Sequence, residues 1–266
     1  MAIFRIQTQI LQSFITILLL TSPVVSAEST YLYAARMIDV INGKVINNPI
    51  IQIQDKRIIQ VSRKGNIDVP HDARTIDLGD MTILPGLIDM HTHITSKATE
   101  HGYRSLAIST PRQAITGVKN ARTTLLSGVT TIRNLGAEGF TDVALRDAIN
   151  EGDVIGPRIF ASGPGIGITG GHCDNNLLPQ EYNVIGQGVA DGPWGVRQRV
   201  RENIKYGADV IKFCATGGVL SKGTKVGVQQ YTLEEMRAIV DESHRRGLIV
   251  AAHAHGTSGI KDAIRA

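Results

Sequence analysis

From Pro85 onward the chain repeats one unit, a short apolar run of β-prone residues followed by a segment with helical spacing. Strands are expected over 86–90, 129–134, 158–162, 210–215 and 248–252. Helices are expected over 111–126, 141–150, 193–206 and 232–246, with one more starting near 257. In the first helix Ala114, Val118, Ala121 and Leu125 recur on one face. In the fourth, Thr232 followed by Glu235 reads as a capping box. Such alternation builds parallel strands joined by helical crossovers, because parallel neighbours need a long connection. A (β/α)8 barrel and a doubly wound open sheet both meet this pattern, and both keep their chemistry at the carboxyl ends of the strands. The glycine cluster from Gly163 to Gly171 is not a nucleotide fingerprint, since it lies in a long loop and opens no helix.

Upstream of this repeat, residues 30–82 read as short strands with turn punctuation. An extended segment over 31–40 precedes Asn42-Gly43, a hairpin signal. The runs 50–53 and 58–61 flank a polar turn at Asp55, Lys56 and Arg57, and 74–78 forms another extended piece. About 55 residues of hairpins need a further layer to bury their apolar face. The expectation is a small β-sandwich-like domain over 28–84, followed by an α/β domain over 85–266.

The first 27 residues have the marks of a secretory signal peptide: one early cation, Arg5, an apolar core over 14–20, and Val25-Ser26-Ala27 before the cut. The uninterrupted apolar stretch is short of the roughly 20 residues a membrane span needs. Export to the periplasm or the medium is therefore expected, with no stable membrane anchor. Removing residues 1–27 takes away Arg5 and no acid, so formal net charge falls from +4 to +3. No basic run marks a nucleic-acid partner. An exported protein could pair Cys173 with Cys214, though their spacing does not demand it.

The chemistry-bearing residues fall at expected strand ends. His91 and His93 close the first strand, and residues i and i+2 share a face, so both imidazoles can turn to one ion. The apolar run over 83–88 makes this a buried strand by expectation. Lys212 stands inside an apolar strand, where an amine is costly unless paired or neutralised. Asp89 is a possible partner, and snorkelling to the rim is another outlet. His253 and His255 close the fifth strand as a second H-x-H.

Together, the run from Leu84 to His93, the lysine strand Ile211-Lys212-Phe213-Cys214-Ala215-Thr216-Gly217-Gly218 and the second H-x-H resemble the metal-dependent amidohydrolase superfamily. The loop Gly170-Gly171-His172 is most similar to its Xaa-Pro dipeptidase (prolidase-like) members. The resemblance implies a TIM barrel, of which 85–266 would supply about five of eight units, preceded by part of a composite β-domain. It implies two divalent ions, zinc in the simplest case. His91 and His93 would bind the first, His253 the second, and a CO2-derived carbamate on Lys212 would bridge them. His255 is a rival to His253 or a substrate contact. His172 and Tyr231, in loops over the mouth, are expected to hold a scissile carbonyl or a terminal carboxylate.

The implied reaction is hydrolysis of a C–N bond by a metal-bound hydroxide, on a dipeptide or other small molecule, in a protein that could be a homo-oligomer. A cyclic amidohydrolase of the imidazolonepropionase-like kind is the alternative activity. The family pattern also asks for a histidine on strand six and an aspartate on strand eight, and no residue here stands in for either. The chain is accordingly expected to be the amino-terminal portion of an enzyme, or a non-catalytic truncated remnant, with the catalytic aspartate unknown.

Overall fold

The computed structural model describes residues 29–63 and 65–266, so the expected leader over 1–27 lies outside the described residues. The chain divides into two units, Met1–Pro85 and Gly86–Ala266.

The described part of the first unit consists of two small sheets. Strands β1 (Thr30–Tyr33), β2 (Arg36–Asp39), β3 (Lys44–Asn47), β4 (Pro49–Gln54), β5 (Arg57–Arg63), β6 (Arg74–Asp77) and β7 (Thr82–Ile83) follow in chain order. One sheet has the order β5-β4-β1-β6 and the other β3-β2-β7. The continuous extended segment expected over 31–40 is broken. β1 and β2 belong to different sheets, and the chain changes sheet at Ala34 and Ala35, whose small side chains favour strands weakly. The two expected hairpins form. Asp55 and Lys56 make a two-residue loop with φ of +49° and +63°, the left-handed pair that matches strand twist. At the other, the Asp39 carboxylate accepts hydrogen bonds from the Ile41 and Asn42 amides, and Gly43 has φ +64°.

The second unit alternates strand and helix throughout. Its elements are β8 (Leu87–Thr92), α1 (Thr110–Leu126), β9 (Val129–Asn134), α2 (Thr141–Glu151), β10 (Arg158–Ala161), α3 (Gly192–Lys205), β11 (Val210–Cys214), α4 (Leu233–His244), β12 (Ile249–His253) and α5 (Thr257–Arg265). All pairings are parallel: β8 with β9, β9 with β10, and β11 with β12. Past the end of β10, Ile166 bridges to β11, its amide donating to the Lys212 carbonyl and its carbonyl accepting from the Cys214 amide, each at 2.8 Å. Five parallel strands thus follow one another in chain order.

Besides a small cluster that joins Leu135, after β9, to Val210 of β11 and Ala251 of β12, two larger apolar cores lie on this framework. One gathers Val196 and Val200 of α3, Ile211 and Phe213 of β11, and Met236 and Ile239 of α4. The other joins Ala121 of α1, Ile132 of β9, Leu145 of α2 and Ile159 of β10. The capping box at α4 is present in full, with the Thr232 hydroxyl accepting from the Glu235 amide and the Glu235 carboxylate accepting from the Thr232 amide. β8 corrects an expectation. Among the described residues it pairs only with β9, so Leu87 and Ile88 stay 62% and 63% exposed although their sequence reads as a buried strand.

Candidate active site

The carboxyl ends of β8, β11 and β12 open on one cavity of about 670 Å3, lined among others by His91, His93, His172, Lys212 and His253. Each is delivered by a strand end or by the loop that follows one. β8 presents His91, and His93 follows directly; their ring centroids lie 5.3 Å apart. The Asp89 carboxylate accepts the His91 amide at 3.0 Å, which holds the end of the strand rather than pairing Lys212. His93 Nδ1 lies 3.5 Å from the Gly136 carbonyl. β12 ends at His253, whose Nε2 lies 3.3 Å from the Gly217 carbonyl.

Lys212 sits mid-strand in β11 and is 4% exposed. It has no ion pair or hydrogen bond through its amine to any described residue. Burial, helped by the positive charge of Arg133, pulls its pKa down to about 8. Every histidine on the cavity is pushed the same way. Withdrawal from water, then the charges of Lys212 and His93, take His91 down to about 4. Withdrawal from water followed by His253 and Lys212 does the same to His172, also about 4. His93 and His253 are lowered too, chiefly by loss of hydration and with smaller opposition from their carbonyl contacts. At neutral pH the site is therefore a set of uncharged imidazoles around one buried amine.

His172 reaches this set from the long loop after β10. Its ring faces that of His253 at 4.1 Å, Nδ1 meets the Ser221 hydroxyl at 2.8 Å, and its amide donates to Gln230 Oε1 at 3.0 Å. The other two expected substrate contacts fare differently. His255 packs against His253 at 4.7 Å but is exposed and does not line the cavity. Tyr231 does not meet its expectation: it is 1% exposed, belongs to the α3–β11–α4 core, and spends its hydroxyl on the Ala190 carbonyl at 2.7 Å. The apolar ring is withdrawn into the core because its one polar atom finds a backbone acceptor there.

Several residues that sequence reasoning passed over frame the site. Buried Asp142, at the start of α2, accepts hydrogen bonds from Asn134 Nδ2 and from the Ser162, Gly163 and Val143 amides. Asn134 Oδ1 in turn accepts the Ile94 amide at 2.7 Å. This pair fixes the loops after β8 and β10, and only an acid at a helix start hinted at it. Across the mouth, the Lys222 amine donates to the Tyr103 hydroxyl at 2.7 Å. Cys173 and Cys214 form a disulfide.

Among the described residues, no group of three or more His, Cys, Asp or Glu comes close enough to form a metal cage. The donor chemistry nonetheless fits divalent metal. Neutral imidazoles are metal ligands, and Lys212 is a buried amine without a counter-charge.

Comparison with known proteins agrees with this chemistry. Residues 82–266 match the profile of the Amidohydrolase family. Ochratoxinase from Aspergillus niger is 34% identical over 259 residues, which cover 90% of this chain and 53% of that protein. A crystal structure of a Xaa-Pro dipeptidase with bound methionine in its active site superposes with a TM-score of 0.82 at 37% identity, covering 90% of this chain and 59% of that one. A prolidase complexed with N-methylphosphonate-L-proline gives a TM-score of 0.77 at 32% identity, with 89% and 59% covered. The chain thus spans between half and three-fifths of the length of these relatives.

Proposed function

This chain belongs to the amidohydrolase family, and on that premise we propose that it is the amino-terminal part of an exported, metal-dependent amide hydrolase acting on Xaa-Pro-type dipeptides or related small amides. Members of the family act on carbon–nitrogen bonds. The substrate class is taken from relatives named as Xaa-Pro dipeptidase, prolidase and ochratoxinase. Export is taken from residues 1–27.

The observation that carries the reading is Lys212, a buried amine with no partner among the described residues and with neutral imidazoles beside it. Left as an ammonium it would repel any cation. As a carbamate, formed when the neutral amine attacks CO2 and gives up a proton, it becomes an anionic ligand. Its lowered pKa enlarges the share of neutral amine available to react. His91 and His93 would hold one ion, His253 a second, and carbamylated Lys212 would serve both. Bound zinc would acidify a water and polarise the scissile carbonyl.

The remaining roles belong to the chain's own side chains. His172 has Nδ1 committed to Ser221, so Nε2 is the atom it can offer to a substrate carbonyl or carboxylate. Its ring is uncharged at neutral pH and so keeps one donor or acceptor fixed. Asn134 and Asp142 hold the loop ends around the cavity so that binding does not have to order them. The strand-six histidine and the strand-eight aspartate that the family pattern requires would be supplied by sequence outside residues 1–266.

Metal binding tests the reading directly. The purified protein with added zinc is expected to hold at least one ion. His91→Ala and Lys212→Ala should each weaken zinc binding by more than about 100-fold, the most that losing an outer-sphere partner costs. Dipeptide hydrolysis is then measured on the longest reading frame that contains this sequence. Less than one ion per chain, unchanged by His91→Ala, removes the proposal.

A further inference from the structure

The Cys173–Cys214 disulfide joins the buried end of a strand to the long loop that carries His172. Cys214 ends β11, two residues beyond Lys212, and is buried. Cys173 follows His172 in the long loop after β10, and the two Cα atoms are 6.1 Å apart. Both cysteines line the cavity, so the cross-link is part of its wall, with Cys173 the more exposed of the two. The chain leaves room for it. A Cβ on Gly165 would come within 3.2 Å of Cys173 Sγ, and one on Gly167 within 2.6 Å of Cys173 Cβ.

His172 has three further fixings, and all of them come from the segment between β11 and α4. Gln230 takes its amide, Ser221 takes Nδ1, and Gly218 gives its ring a seat, since a Cβ there would overlap all three of the nearest ring atoms. Loops of this kind open locally at low free energy. Ile166 ties the start of this loop to β11, six residues before His172, and the disulfide fastens the stretch beside His172 itself to that buried strand.

We propose that the Cys173–Cys214 disulfide is a redox-dependent positioning element that seats the His172 ring against His253. Oxidised, the chain keeps His172 over the end of β12. Reduced, the stretch around His172 loses its covalent tie to β11 and the ring leaves its seat on Gly218. Reduction by a phosphine breaks the S–S bond and yields two thiols and a phosphine oxide, with water supplying the oxygen and both protons. A compartment that keeps thiols reduced would hold the site open, and an oxidising one would close it. What this seating is for rests on the hydrolase reading above; whether it exists does not.

The test measures the position of His172 without relying on activity. The air-oxidised protein is treated with diethyl pyrocarbonate before and after a water-soluble phosphine, and the modification rate of each histidine is read by peptide mass. After reduction the rate at His172 is expected to rise about tenfold, as for a segment moved from a protected to an open state. Exposed His71 and His244 serve as internal controls and should not change. The Cys173→Ser/Cys214→Ser variant should show the fast His172 rate from the start and no response to phosphine. Gly218→Ala, which leaves both sulfurs in place, should also speed His172. Free thiols in the air-oxidised protein would overturn the proposal. So would a His172 rate that ignores reduction, or a rise shared by all histidines, which would report general unfolding.

Discussion

β8 and β11 carry the two ends of the candidate metal site, and they live in opposite surroundings. Every residue of β11 is buried, from Val210 to Cys214, whereas β8 is exposed from Leu87 to His91. Their sequences do not explain the contrast, since Leu87-Ile88 is as apolar as Val210-Ile211. Position explains it. β11 has the Ile166 bridge on one side, β12 on the other, and the apolar faces of α3 and α4 packed with it. β8 has β9 and, among the described residues, no second strand. The difference teaches that one strand is a finished core element while the other is held only by its ladder, although both aim ligands at the same cavity.

Stability measurements can break this contrast. Ile211 is 0% exposed, so Ile211→Ala should cost about 2–5 kcal/mol through lost burial and the cavity left behind, read from denaturant unfolding. A cost below that of a surface change would mean that β11 is not the packed element it resembles.

A second, smaller effect tests the helices over β11. Arg201 of α3 grips Glu242 of α4 with two hydrogen bonds, of 2.8 and 3.1 Å, and this grip is the largest cause of the lowered Glu242 pKa. A carboxyl whose folded pKa is depressed stabilises the fold above its unfolded pKa, and that contribution is lost as pH falls through the folded value. Glu242→Gln should therefore cost about 1 kcal/mol at neutral pH, a modest figure because Arg201 is largely exposed. The difference from wild type should fade below the ordinary glutamate range. A pH-independent difference would assign the effect to packing instead.

The smallest effect belongs to β8. Ile88→Ala should change stability by less than about 0.5 kcal/mol, as for an ordinary surface position. A loss comparable to that at Ile211 would show that β8 is covered in solution.

Local features were legible in the sequence because they are made by neighbours. The Thr232–Glu235 box needs only one turn of helix, and the Asn42-Gly43 and Asp55-Lys56 turns need only a few residues each. The alternation of strand and helix was legible for the same reason, and with it the convergence of strand ends that brings His91, His93, Lys212 and His253 to one cavity. What escaped depends on distant partners. Nothing near Tyr231 announces that Ala190 will take its hydroxyl, and the Cys173–Cys214 pairing, which the sequence leaves open, is fixed only by the fold that brings together residues 41 apart. The exposure of β8 was hidden because an apolar run records what a strand can bury, not how many neighbours it has. The break at Ala34 and Ala35 was missed because a change of sheet leaves hydrophobic patterning almost intact.

The parallel strands are stitched across their middle by Ile166 and by the Asp209 amide, which donates to the Ala161 carbonyl, and each side of that seam has its own apolar nucleus. A seam this short gives the two lobes little ladder in common, so side chains carry much of the join, among them the Arg146–Asp209 pair and the Asn203 bond to the Pro164 carbonyl. His91 and His93 ride on one lobe, Lys212 and His253 on the other. Any ion gripped by both would act as a rivet, making the spacing of its own ligands part of what it stabilises.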